Sequence, residues 1–149
     1  MARRIRVDTY KFIGDAWVLL LDTSTPPEQI LIGIRDLCKV YEREFDRLLA
    51  PVLTTRPERT GIAFGISSGV LFKTTVFQTT EYLARALNVA TRLQIHAKEL
   101  TSRFAVMCAA DTYGKYFISV DGFRAIQTTV ALKGLRDGYD FPCVAIDLM

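Results

Sequence analysis

Apolar residues alternate in some stretches of this chain and return every three or four residues in others, and each change of period marks a change of element. Ile5, Val7 and Thr9 share one face of a first extended run, Gly14-Asp15 interrupts it, and Ala16–Leu21 is apolar without a break. That pattern predicts a hairpin whose second strand, apolar on both faces, is central to a sheet. Ser24-Thr25-Pro26-Pro27-Glu28 reads as a helix start, with a hydroxyl cap, early prolines and an acid near the positive end of the dipole. Ile30, Ile34, Leu37, Tyr41, Phe45 and Leu48 then fall on one helix face until Pro51. The polar link Arg56-Pro57-Glu58-Arg59 leads to a strand over Thr60–Ile66, and Ser67-Ser68-Gly69 turns into a second strand over Val70–Phe77.

The stretch from Glu81 to Gln94 is helical in period, with Leu83, Leu87, Ala90 and Leu93 as its apolar stripe. The helix is expected to run from near Tyr82 to about Leu100, followed by the apolar strand Phe104–Ala109. A short helix or turn carries Tyr113 and Tyr116, and a hairpin of Ala125–Leu132 and Cys143–Leu148 closes the chain through a Gly134/Gly138 turn. Strand, helix, hairpin, helix, strand is the ferredoxin-like βαββαβ order, an α+β sandwich with its helices on one face of an antiparallel sheet.

Composition narrows the classes. The 149 residues form one domain, long enough to bury roughly two-thirds of the unfolded surface. A net charge of +3 is too slight to argue for nucleic acid. The longest unbroken apolar run is too short to span a bilayer. Cys38, Cys108 and Cys143 lie far apart in apolar segments, as reduced core thiols of a cytoplasmic protein would. His96 is the only histidine, which removes any histidine-built metal site within one chain, and it is expected on a helix surface. Trp17 is expected in the core.

One polar feature exceeds what folding requires. Arg85, Asn88 and Arg92 stand at i, i+3 and i+7 of the second helix, so an amide and two guanidiniums project from one side. An amide beside a guanidinium can hold a ribose and a phosphoryl group, because Arg presents a fixed fork of donors to phosphate oxygens.

Phe64-Gly-Ile-Ser-Ser-Gly69 followed by Arg85-Ala-Leu-Asn88-Val-Ala-Thr-Arg92 resembles the second half of a class III adenylate/guanylate cyclase domain, where a G-I-x-x-G strand precedes a helix with N-x-A-x-R. Lys11-Phe-Ile-Gly14-Asp15 looks like that family's K-x-x-G-D hairpin, and Leu132-Lys133-Gly134 resembles its late K-G turn. Four motifs in the family's order cover most of the chain. The resemblance implies that residues 1–149 are a partial nucleotide cyclase homology domain. Such a domain converts a nucleoside triphosphate into a 3′,5′-cyclic nucleotide and pyrophosphate in a signalling role, as a homodimer or with a full-length cyclase partner.

Roles follow from the matching positions. Asp15, beside Gly14, would hold Mg²⁺ or Mn²⁺; Asn88 would orient the ribose; Arg92 would meet charge on the α-phosphate; Lys133 would approach the terminal phosphates. Lys11 and Glu81 would read the base edge, although a one-residue slip would put Thr80 in place of Glu81. A donor with an acceptor suits adenine and also cytosine, an amino-bearing base in either case.

The sequence departs from the family in two places. Ala84 replaces a family glycine, and nothing before Lys11 supplies the first strand, F-x-D-I-x-G-F, with the first metal carboxylate, or the two helices after it. That strand is normally central, so its loss exposes edges that something must cover. A fragment of a longer cyclase, a non-catalytic homologue, and a chain in which another segment, such as the one ending Ile146-Asp147-Leu148, fills the gap are the three open explanations. The function expected is therefore a cyclase, with a catalytically inactive nucleotide-binding or dimerisation module as the alternative.

Overall fold

A strand buried on both faces lies at the centre of the structure. The computed structural model describes residues 7–55, 60–100, 104–132 and 140–148, with backbone alone at residues 8–10. Its elements are β1 (Val7–Ile13), β2 (Ala16–Leu21), α1 (Pro27–Glu44), β3 (Ile62–Ile66), β4 (Phe72–Val76), β5 (Thr79–Leu83), α2 (Arg85–Ala97), β6 (Phe104–Ala109), the short α3 (Ala110–Thr112), β7 (Arg124–Ala131) and β8 (Asp140–Asp147). The fold is α+β. Every residue of β6 is buried, and its alternation feeds two cores.

Phe104, Val106 and Cys108 pack with Leu31 and Cys38 of α1 and with Val144 and Ile146 of β8. Ala105, Met107 and Ala109 pack with Leu93 and Ala97 of α2 and with Phe141 and Cys143 of β8. In β3, Ile62, Phe64 and Ile66 join the first cluster and Ala63 the second. The face under α1 is thus built from large side chains and the face under α2 from small ones, which lets α2 lie close.

The main sheet has the order β3-β6-β8-β7, with β3 parallel to β6 and the other two pairs antiparallel. Three expectations are corrected here. The helices lie on opposite faces of this sheet rather than on one. The segment after β3 does not fold back onto it; β4 pairs with β5 in a separate hairpin, and α2 then returns the chain parallel to β3. The run Ala16–Leu21 is not central, because β2 pairs only with β1 among the described strands. Its residues alternate between half-buried and exposed. Trp17, expected in the core, is 58% exposed and meets Phe12 edge-on at 5.5 Å.

Two local expectations also change. α2 begins at Arg85, not near Tyr82, because Thr79-Thr80-Glu81-Tyr82 extend as a strand after a turn at Phe77 and Gln78. Leu83, expected on the helix's apolar stripe, is accordingly exposed. At the start of α1 no hydroxyl cap forms: Pro26 occupies the cap position, and Asp22 instead accepts a hydrogen bond from the Ser24 N–H at 2.7 Å. The Pro51 end is as expected, with the helix loosening into a wider turn over Phe45–Leu49 and a tight one over Ala50–Val52. No helix of the described residues is long and apolar enough to cross a membrane.

All three cysteines are buried and free. Burial pushes the thiols of Cys38 and Cys143 up to about 11, and that of Cys108, with Asp111 nearby, to about 12. Each folded value exceeds the ordinary 9.0, so the stabilisation is complete below that value and is lost as pH rises through the interval up to the folded values. Denaturant midpoints should therefore hold level up to about pH 9 and fall by about pH 10.5. A thiol reagent at about pH 8 should label the native chain far more slowly than the unfolded one.

Candidate functional site

The hairpin that carries Lys11, Gly14 and Asp15 is shaped by two backbone features. Gly14 has φ +61 at the first turn position, where an L side chain would be strained, and Asp15 follows as an exposed turn residue. Farther back the register slips: Thr9 pairs with Leu19 but Lys11 pairs with Val18, leaving Tyr10 as the extra residue of a bulge. Cross-strand partners share a face, so the bulge moves Lys11 from Trp17's exposed face to the half-buried face of Ala16, Val18 and Leu20. Partial alternation before Gly14 was the only sign of this bulge in the sequence.

On that face Lys11 meets Glu81. Its Nζ lies 2.8 Å from Glu81 Oε1, joining residues 70 positions apart, with the two side chains 44% and 27% exposed. Glu81 reaches this place from β5, opposite Thr74 in the β4–β5 hairpin. Both turn residues of that hairpin, Phe77 and Gln78, have positive φ although neither is glycine. A half-exposed ion pair of this kind is worth roughly 1 kcal/mol or less, so a ligand that replaces both bonds displaces it at little cost.

β5 hands the chain to α2 through Ala84. Asn88 is exposed and Arg92, one turn later, is half-buried, and among the described residues neither side chain makes a hydrogen bond or ion pair. Arg85, in the first turn, is exposed on the same side. The seat of this helix is set by Gly65, where an added Cβ would lie 1.9 Å from the Ala90 carbonyl oxygen and 2.6 Å from the Gln94 nitrogen. A Cβ on Gly69 would come within 3.1 Å of Ala86 Cβ. Both glycines of the G-I-x-x-G motif thus serve the close packing of β3 and its following loop against α2.

The structure therefore brings Lys11 to Glu81 and sets Asn88 and Arg92 one turn apart on a helix that starts four residues after Glu81. Lys133 lies outside the described residues, as do Gly134 and Gly138. Asp15 is exposed, and among the described residues no three His, Cys, Asp or Glu side chains converge to hold a metal ion. A divalent cation held there would take most of its oxygen ligands from water and the triphosphate.

One polar cluster had no signal in the sequence. Thr112, buried at the end of α3 just after β6, accepts a hydrogen bond from the Ser68 N–H at 2.9 Å, and its hydroxyl lies 3.0 Å from Ser68 Oγ. Asp111 Oδ1 in turn accepts from the Thr112 N–H at 2.6 Å. This bolt ties the loop after β3 to the end of its parallel neighbour β6 and fixes the chain's exit toward β4. Thr112→Val should leave those partners unmatched and cost about 1–3 kcal/mol in a denaturant titration.

No protein-family model and no curated protein matches the chain.

Proposed function

We propose that this chain is a nucleotide cyclase-type domain whose site, Lys11, Glu81, Asn88 and Arg92, takes an amino-bearing nucleoside triphosphate and closes it to the 3′,5′-cyclic product with release of pyrophosphate. The observation that carries the reading is the Lys11–Glu81 contact at 2.8 Å, since it joins the two residues expected to read one base edge. Adenine and cytosine each present a ring-nitrogen acceptor beside an exocyclic amine, so the ammonium and the carboxylate could exchange their mutual bond for one bond each to the base. Asn88 and Arg92, free of described partners, are then available to the ribose and the α-phosphate. Ring closure within one substrate asks mainly for positioning and for positive charge where negative charge builds.

The sheets support the same reading. In the family the first strand is normally central to the sheet, and both β2 and β3 have an open edge among the described strands. β3, Ile-Ala-Phe-Gly-Ile, carries neither charge nor proline to guard that edge. The β1–β2 hairpin exposes Phe12, Ile13, Trp17, Leu19 and Leu21, and the β4–β5 region exposes Val70, Phe72, Val76, Leu83 and the 98% exposed Phe77. Apolar surface on this scale suits a partner, either a second copy or a full-length cyclase. The second reading is a nucleotide-binding or dimerisation module that does not turn its ligand over; among the described residues no three metal-ligating side chains gather to hold an ion.

Lys11→Met and Glu81→Gln test the base assignment. Each should weaken binding of ATP and CTP by about tenfold or more, the range for a hydrogen bond to a charged group, and leave GTP and UTP unchanged. Equal losses for all four nucleotides would remove base reading from this pair.

A further inference from the structure

His96 stands one turn beyond Arg92 on α2, and both its ring nitrogens have acceptors: Nε2 lies 3.1 Å from the Ala131 carbonyl oxygen and Nδ1 3.2 Å from Glu99 Oε2. A carbonyl and an ionised carboxylate only accept, so each bond needs a proton on the facing nitrogen. The neutral ring can make only one of the two bonds, Nε2–H to Ala131 or Nδ1–H to Glu99, and the doubly protonated ring makes both.

Ala131 is the last residue of β7, an edge strand of the main sheet, whereas Gly65 sits on β3, the opposite edge. Beneath the histidine, Leu93 and Ala97 share one apolar cluster with Val130, Leu132 and Phe141. α2 is thus held at two well-separated places, by the Gly65 contact with Ala90 and Gln94 and by His96 on Ala131. One contact fixes where the helix lies; two fix how it is rotated.

We infer that His96 is a positioning residue: by bonding α2 to the end of β7 it sets the rotation of the helix and hence the direction of the Asn88–Arg92 face. Its importance for ligand binding rests on the reading of that face as the nucleotide site. The charged groups placed near the ring are Glu99 from α2, which Nδ1 meets, and Asp140 from β8, opposite Ala131 in the register. β7's own charged residue, Arg124, is at the far end of the strand.

A chain with a single histidine gives one set of imidazole resonances. In the ¹⁵N-labelled chain without ligand, a ring that tethers α2 to Ala131 should carry a proton on Nε2. His96→Leu should shift the Asn88 side-chain amide and the Arg92 Nε–H resonances, and His96→Gln, which keeps a donor for Ala131, should largely restore them. A ring protonated on Nδ1 alone, or unmoved Asn88 and Arg92 resonances in His96→Leu, would overturn the inference. If His96→Leu does not fold, His96→Asn, whose amide is too short to repeat the bond, provides the same comparison. In a titration with ATP and Mg²⁺, His96→Leu should bind about threefold to tenfold more weakly, the range of one lost hydrogen bond, and His96→Gln nearly as wild type. Absence of ATP binding in every form would count against the nucleotide site, whereas the resonance comparison decides the tether by itself.

Discussion

Gly65→Ala should unseat α2. The new Cβ would fall 1.9 Å from the Ala90 carbonyl oxygen and 2.6 Å from the Gln94 nitrogen, and both obstacles are backbone that no rotamer change can clear. The helix has to back away from β3, and its neighbours Leu93 and Ala97, both fully buried, lose contact with β6 as it moves. Overpacking costs about 1–3 kcal/mol where side chains can adjust, and a backbone obstacle puts this change at or above the top of that range. At roughly 2–4 °C per kcal/mol for a chain of this size, melting should fall by about 10 °C. Calorimetry measures that directly. Gly69→Ala, facing only the Ala86 methyl at 3.1 Å, should cost much less.

Arg92→Ala should leave the fold intact and remove function. Arg92 is half-buried and makes no hydrogen bond or ion pair among the described residues, so its loss strands no partner. In an active form of the domain, kcat should fall by about 10²–10³-fold, the range for removing one donor aimed at developing charge, with a much smaller change in KM. Asn88→Ala should act in the same direction if it orients the ribose. Steady-state kinetics with melting measured alongside separate these effects from unfolding. A fall in stability as large as that of Gly65→Ala would make Arg92 a packing residue instead.

How much of this the sequence revealed depends on how local each feature is. The turns at Gly14 and Pro51, the length of α1, the apolar β6 and the closing β7–β8 hairpin were legible, because glycine, proline and local periodicity act within a few residues. The pairing of strands distant in sequence was not. That β3 lies beside β6 and not β4 depends on contacts more than thirty residues apart, and an all-apolar strand looks the same whichever neighbour it takes. The end of β5 reads as the first turn of a helix because Leu83, Leu87, Ala90 and Leu93 fit a helical period. Lys11 and Glu81 were each legible as candidates, but the Tyr10 bulge that turns Lys11 toward Glu81 depends on register across the hairpin. The Thr112 bolt and the His96 contact with Ala131 likewise join distant segments and carry no local mark.

The proposal that Lys11, Glu81, Asn88 and Arg92 together serve to close an amino-bearing nucleotide is tested most directly by product analysis. The chain would be incubated with ATP, CTP, GTP or UTP and Mn²⁺, alone and with a partner domain carrying a family-type first strand, and cyclic products identified by mass spectrometry. The account predicts weak binding of ATP or CTP and very slow cyclisation by the chain alone. With the partner domain, the 3′,5′-cyclic product should rise by orders of magnitude, about the scale on which a positioned charge acts, and Arg92→Ala should abolish the rise. No cyclic product from any nucleotide, with or without the partner, would contradict the cyclase reading.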